Sequence, residues 1–301
     1  MPRDRYRGVV IAPDQPGDAV CARHAIELFS RLGRTALVFH ERLAGLFVGL
    51  PADPFPYRRV AVETTAKLTV QTGPDTTVYD LLCDDASGEL CSLLPGRSVG
   101  VPDPVRYDDE VPWTLGTHDD THYAVRLTRY LKANRTATVF EECEWRQSHF
   151  RCMFAPSRQF LALAPGCGRL NTAKRWPMIG WREVATWAIA EGLSPIWFVG
   201  PDELELIEEC KSLGGEVVTG NWSEVVEWHG RCAYGVTNDT VHLHIRAYSG
   251  VSTVGLFLVS SVPHWGNYPG SDTSCLTLAS TGASTGADIV LSALERLMEL
   301  K

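Results

Sequence analysis

The chain has 301 residues, 45% hydrophobic and 21% charged, with a formal net charge of -8. That length suffices for two domains of ordinary size, and the composition is that of a soluble globular protein. The acidic balance disfavours non-specific binding to nucleic acid, no apolar run reaches the length of a bilayer span, and nine cysteines without a C-x-x-C pair point to reduced thiols, not to a disulfide or zinc framework. The early apolar run 9–12 is too short for a signal peptide, so a cytoplasmic protein is expected, with at most peripheral membrane contact.

In chain order, residues 8–12 read as a strand. A polar loop, 13–17, leads into a helix over 18–32 with Ala22, Ala25, Ile26 and Phe29 on one face. Gly33 ends that helix, and 35–39 reads as a second strand. Strand–helix–strand is the unit of a parallel sheet. Further on, 78–83 and 98–101 read as strands, 102–116 as a Pro- and Asp-rich loop, and 122–132 as a helix. Between 134 and 157 the pattern dissolves. The domain boundary is placed there, giving an N-terminal domain over 1–155 and a C-terminal domain over 156–301. The second half alternates: strands over 160–164, 196–199, 216–218, 232–236 and 253–258, and helices over 181–191, 203–213, 223–229 and 240–248. A Gly-, Ser- and Thr-rich loop over 262–287 precedes a terminal helix over 289–300. Two alternating blocks predict an α/β fold of two doubly wound, Rossmann-like domains facing a central cleft, with ligands at the carboxyl ends of the strands.

Four segments carry residue types suited to chemistry. Gly17-Asp18 stands at the turn from the first strand into the first helix; a carboxylate there serves as a general base for a hydroxyl nucleophile, or caps the helix. Pro165-Gly166-Cys167-Gly168, with Lys174-Arg175-Trp176-Pro177 beyond it, is a Gly-rich turn carrying two cations between a strand and a helix. Such a turn suits a phosphate, with Gly166 and Cys167 giving close backbone approach; the plainer reading is a solvated cation pair over a packed Trp176. Asn238-Asp239-Thr240 opens a helix whose N-terminus suits a diphosphate; Asp239 or Thr240 also suits an N-cap. Gly200-Pro201-Asp202-Glu203 follows a strand, where Glu203 could simply answer a helix dipole. His242 and His244, two residues apart on a helix, point to different faces and make no metal pair. There is no Asp-x-Asp, G-x-S-x-G, Walker A or G-x-G-x-x-G segment.

Taken together and in order, Gly17-Asp18, Tyr79-Asp80-Leu81, 122–131, the Lys174 block, Glu203 and Asp239-Thr240-x-x-x-His244 resemble the ADP-heptose:lipopolysaccharide heptosyltransferases, glycosyltransferase family nine. The motif's Gly is Val241 here, a β-branched residue that crowds the backbone and resists positive φ. The segment after Phe257 also departs from the family's pattern. The resemblance implies a GT-B fold and an inverting, metal-independent transfer of a heptose from a nucleotide-sugar, ADP-heptose first, to an acceptor hydroxyl, with no cofactor beyond the donor. It implies Asp18 as catalytic base and Lys174, Arg175, Gly166, Cys167, Thr240 and Val241 at the donor phosphates. Asp239, Glu203, Gly200 and His244 would lie at the donor's sugar and nucleotide. A glycolipid, a small metabolite or a protein remains open as acceptor. Two other readings stay open: an inactive nucleotide-sugar-binding or scaffold protein, and a GT-B enzyme using a different nucleotide-sugar.

Overall fold

The computed structural model describes residues 5–30, 33–57, 62–81, 90–95, 97–100, 109–110, 155–168, 171–260, 262–266, 273–278 and 286–299. The chain divides into two compact units, residues 1–144 and 145–301.

In the first unit β1 (Gly8–Ile11), β2 (Thr35–His40), β3 (Asp53–Tyr57), β4 (Thr77–Asp80), β5 (Arg97–Gly100) and β6 (Asp109–Glu110) make one sheet in the order β3-β2-β1-β4-β5-β6. Every pairing is parallel. The run Gly-Val-Val-Ile of β1 is buried along its whole length, as a parallel strand covered on both faces requires. Helix α1 (Pro16–Ser30) joins β1 to β2, and α2 (Val62–Gln71) joins β3 to β4. The core gathers Val9, Ile11, Ala36, Val38, Leu68 and Val78.

In the second unit β7 (Ser157–Ala164), β8 (Ser194–Phe198), β9 (Glu216–Val218), β10 (Cys232–Asn238), β11 (Ser252–Phe257) and β12 (Thr273–Thr277) run in the order β12-β11-β10-β7-β8-β9, again all parallel. The connecting helices are α3 (Met178–Ala190), α4 (Ile207–Ser212), α5 (Trp222–Arg231), α6 (Val241–Ser249) and α7 (Val262–Trp265), and α8 (Ala287–Glu299) follows β12. Trp181 and Trp197, both wholly buried, anchor the core between α3 and the sheet with Leu161, Leu163, Val236 and Leu294. Counted within its own unit, each sheet has the strand order 3-2-1-4-5-6 of Rossmann folds.

Several expectations change. The 262–287 loop contains α7 and the edge strand β12. The helix expected over 203–213 is a 3-10 turn, Leu204–Leu206, followed by the short α4. β3 and α2 have no counterpart in the sequence reading: Pro54 and Pro56 disguise the strand, which Pro tolerates only at an edge, and β3 is an edge. Residues 109–110 pair as β6 inside the stretch read as loop. The helix expected over 122–132 and the segment 134–154 lie outside the described residues.

Candidate functional site

The strand order of the second sheet reverses between β7 and β10. From β7 the chain proceeds to β8 on one side, and from β10 to β11 on the other. The carboxyl ends of two such strands leave a crevice, the place where open α/β sheets bind ligands. Ala164 and Thr237 are register partners, so the 165–168 turn and the Asn238-Asp239-Thr240 segment leave the sheet side by side.

The cations of the turn are paired, not solvated. Lys174 Nζ lies 2.8 Å from Asp239 Oδ2 and 3.4 Å from the Asp239 carbonyl. Arg175 reaches Glu203 and Glu205, each at 3.3 Å. Trp176 is buried, stands edge-on to Trp181 with ring centroids 5.3 Å apart, and accepts the Trp181 indole N–H at its carbonyl. Trp176 is packed, as the plainer reading held, while the cations beside it are ion-paired and not a solvated pair.

Glu203 is buried at 3% exposure, in the N-cap position of the 3-10 turn but with no capping bond from its side chain. Its carboxylate accepts the N–H groups of Cys167 and Gly168, the latter at 2.7 Å. A Cβ at Gly166 would overlap that carboxylate, and one at Gly200 would come within 3.2 Å of it. These two glycines therefore make room for Glu203, which binds the turn as an internal anion. Burial pushes the Cys167 thiol above its ordinary pKa, while a hydrogen bond from Arg175 pulls it back.

Thr240 occupies the N-cap position of α6 with extended backbone, but its hydroxyl makes no capping bond. It approaches the Asn238 carbonyl at 3.5 Å instead, and Asp239 is committed to Lys174. The first turn of α6 thus keeps N–H groups without a side-chain cap, beside an ammonium. Val241 is the first residue of that helix. The motif's Gly position is helical here, so a β-branched residue sits there without positive φ; its bulk over the helix end remains.

His242 and His244 face different partners. His242 Nδ1 lies 2.8 Å from His229 Nε2, and the His229 ring stacks on Phe198 at 3.7 Å. His244 turns toward Trp265, with ring centroids 6.4 Å apart. Burial lowers His244 to about 4 and His242 to about 4. Among the described residues no group of three metal-ligating side chains occurs.

In the first unit the strand order reverses between β1 and β4, and Asp18 stands in the first turn of the helix that follows β1. It is half-buried and is the third residue of α1, which begins at Pro16; the Ala19 N–H bonds to the Gln15 carbonyl at 2.9 Å, which makes Gln15 the cap. The capping reading of Asp18 is thereby replaced by that of an acid in the first turn, where the helix dipole favours it.

Sequence reasoning missed the part played by Asn238, which is wholly buried, and by Glu203 as partner of the turn. A buried polar residue directly after an apolar strand was the available signal.

The structure resembles solved glycosyltransferases over almost all its length. It matches a glycosyltransferase family 9 protein from Veillonella parvula DSM 2008 with a TM-score of 0.78 and 17% identity, covering 100% of this chain and 99% of that one. It matches E. coli ADP-heptose lps heptosyltransferase II with a TM-score of 0.73 and 17% identity, covering 98% and 99%. It matches E. coli heptosyltransferase WaaC with ADP-2-deoxy-2-fluoro heptose with a TM-score of 0.73 and 15% identity, covering 96% and 99%. The fold is GT-B. No curated protein sequence matches the chain. The family model of glycosyltransferase family 9 (heptosyltransferase) matches residues 119–287, more than half of the chain, and with it the chain belongs to glycosyltransferase family 9 as a divergent member.

Proposed function

We propose that this glycosyltransferase moves a heptose from ADP-heptose to an acceptor hydroxyl, with inversion and without a metal. The observation that carries the reading is the pairing of Lys174 with Asp239 at 2.8 Å beside the uncapped first turn of α6, at the switch point of the second sheet. Solved relatives of the fold carry a donor analogue of this kind. In this reading the donor's diphosphate lies against the Gly166–Cys167 turn, Lys174, Arg175, Thr240 and Val241. Glu205, 59% exposed, can release Arg175 to an incoming phosphate at little cost. Asp239 and His244 lie toward the donor sugar and Gly200 toward its nucleoside, where Glu203 acts through the turn it holds. The residues 156–301 serve the donor, and 1–155 the acceptor.

Asp18 takes the proton of the acceptor hydroxyl as its oxygen attacks the anomeric carbon. The bond from that carbon to the phosphate oxygen breaks, and the electron pair leaves with the nucleoside diphosphate. Lys174, Arg175 and the N–H groups of α6 stabilise the charge that develops there. Positive charge from the protein is the ground for proposing a metal-free reaction. A cytoplasmic enzyme is proposed from the cysteines: among the described residues none of the six forms a disulfide. No helix among those residues is long and apolar enough to cross a membrane.

The test is Asp18→Ala, assayed for transfer and for ADP binding. Transfer is expected to fall by about a hundredfold or more, the scale of a lost general base, with ADP affinity kept. Near-normal turnover would refute Asp18 as base, and a rate that collapses on treatment with EDTA would refute metal independence.

A further inference from the structure

At the fork of the second sheet three backbone groups lie outside any helix or strand: the carbonyls of Pro165 and Gly166, where the chain leaves β7, and the N–H of Trp176, where it turns toward α3. All three end on one side chain. Asn238 Nδ2 donates to the Pro165 carbonyl at 2.7 Å and to the Gly166 carbonyl at 3.2 Å, and Asn238 Oδ1 accepts the Trp176 N–H at 3.2 Å. The residue is wholly buried. A primary amide offers two donors and an acceptor from one small planar group. Aspartate offers acceptors only, and an apolar isostere leaves three buried backbone groups unpaired, each costly. The two carbonyls and the N–H also settle which amide atom is nitrogen.

The next residue holds the same segment by its other end. Asp239 grips the Lys174 ammonium, while Asn238 fixes the backbone two residues further on. From the opposite side Glu203 takes the N–H groups of Cys167 and Gly168. The turn is thus pinned by its carbonyls through Asn238 and by its N–H groups through Glu203, with no ligand needed to shape it.

We infer that Asn238 is a positioning residue of the donor site. It sets the 165–168 turn and the 174–176 segment against the first turn of α6, so that Lys174 and the helix end meet a nucleoside diphosphate in one fixed geometry. The inference rests on the reading that the second unit binds the donor.

ADP binding by titration calorimetry, with amide exchange followed by mass spectrometry, tests it on the full chain. Asn238→Ala and Asn238→Ser, shown to be folded by circular dichroism, are expected to bind ADP at least about tenfold more weakly, the effect of losing a hydrogen bond or two from a preorganised site. Exchange is expected to quicken over 165–168 and 174–176 and to stay unchanged in β8. Thr237→Val is the control: one residue earlier in β10, equally buried, its hydroxyl already without a hydrogen-bond partner. It is expected to keep wild-type ADP affinity and exchange. If Asn238→Ala does not fold, Asn238→Ser decides. A folded Asn238 variant with wild-type affinity overturns the inference, as does a Thr237→Val loss of the same size. Absence of ADP binding by the wild-type chain overturns the donor reading instead.

Discussion

A methyl group at position 166 would land on the carboxylate of Glu203. That carboxylate cannot swing aside freely, because the Cys167 and Gly168 N–H groups and Arg175 hold it in a buried place. Gly166→Ala is therefore expected to lower stability by about 3 kcal/mol, the scale of breaking a buried charged contact. Gly168 offers the contrast within the same turn. Its φ is +74°, but nothing lies within 4 Å of the position its Cβ would take. Gly168→Ala should cost only about 1 kcal/mol, the strain of a left-handed backbone. Urea denaturation of the two variants gives the comparison, and equal midpoints would mean that Glu203 does not fill the space beside Gly166. The residue types at this site were legible in the sequence: two glycines, two cations, an acid. Which acid meets which cation was not. Lys174 and Asp239 are brought together by the register of β7 beside β10, a pairing that skips two intervening strands, and no local pattern encodes it. Gly166 was read as close backbone approach for a phosphate; the room where its side chain would stand is taken by the chain's own Glu203 carboxylate.

Between elements, the tie that matters most is α5 to α6 through His229 and His242. Burial holds His229 well below its ordinary pKa, and His242 and Arg246 push the same way. Burial alone lowers His242 to about 4. Both rings are held neutral in the folded chain and titrate near 6.5 once it unfolds. The unfolded state therefore binds more protons below that pH, so this stability is complete above about 6.5 and is lost as pH falls toward about 4. At pH 5 the loss from His242 amounts to about 2 kcal/mol. Urea midpoints at pH 7.5 and 5 check this: the wild-type midpoint should drop, and His242→Gln should drop less. A steeper drop for the variant would defeat the argument. Elements differ in how legible they are from residue pattern alone. β10 and β11 are buried almost throughout and carry apolar stretches, Ala-Tyr-Gly-Val and Val-Gly-Leu-Phe, as strands covered on both faces must. β12, Thr-Ser-Cys-Leu-Thr, is a half-exposed edge with little apolar pattern, and α2 carries three threonines in ten residues, poor helix formers that tertiary packing overrides.

For the molecule as a whole, fold has outlasted sequence: relatives at 15–17% identity superpose with TM-scores of 0.73 to 0.78. Donor choice is then a property of a few side chains and not of the architecture. A thermal-shift panel of ADP, UDP and GDP tests which nucleotide the folded chain selects. At a concentration one hundred times its dissociation constant, the bound nucleotide adds about 2.7 kcal/mol of stability. ADP is expected to give the largest rise in melting temperature. A larger shift with UDP or GDP would move the assignment to another nucleotide-sugar.

The two sheets share a strand order and no visible sequence repeat. Each fork is spelled out by its own residues: Asp18 in the helix turn after β1 at the first, Asn238, Asp239 and Glu203 around the second. Among the described residues, the strands of each sheet come from one unit alone. Each fork thus rests on strands of its own unit, and neither sheet needs a strand lent by the other half of the chain to complete its order.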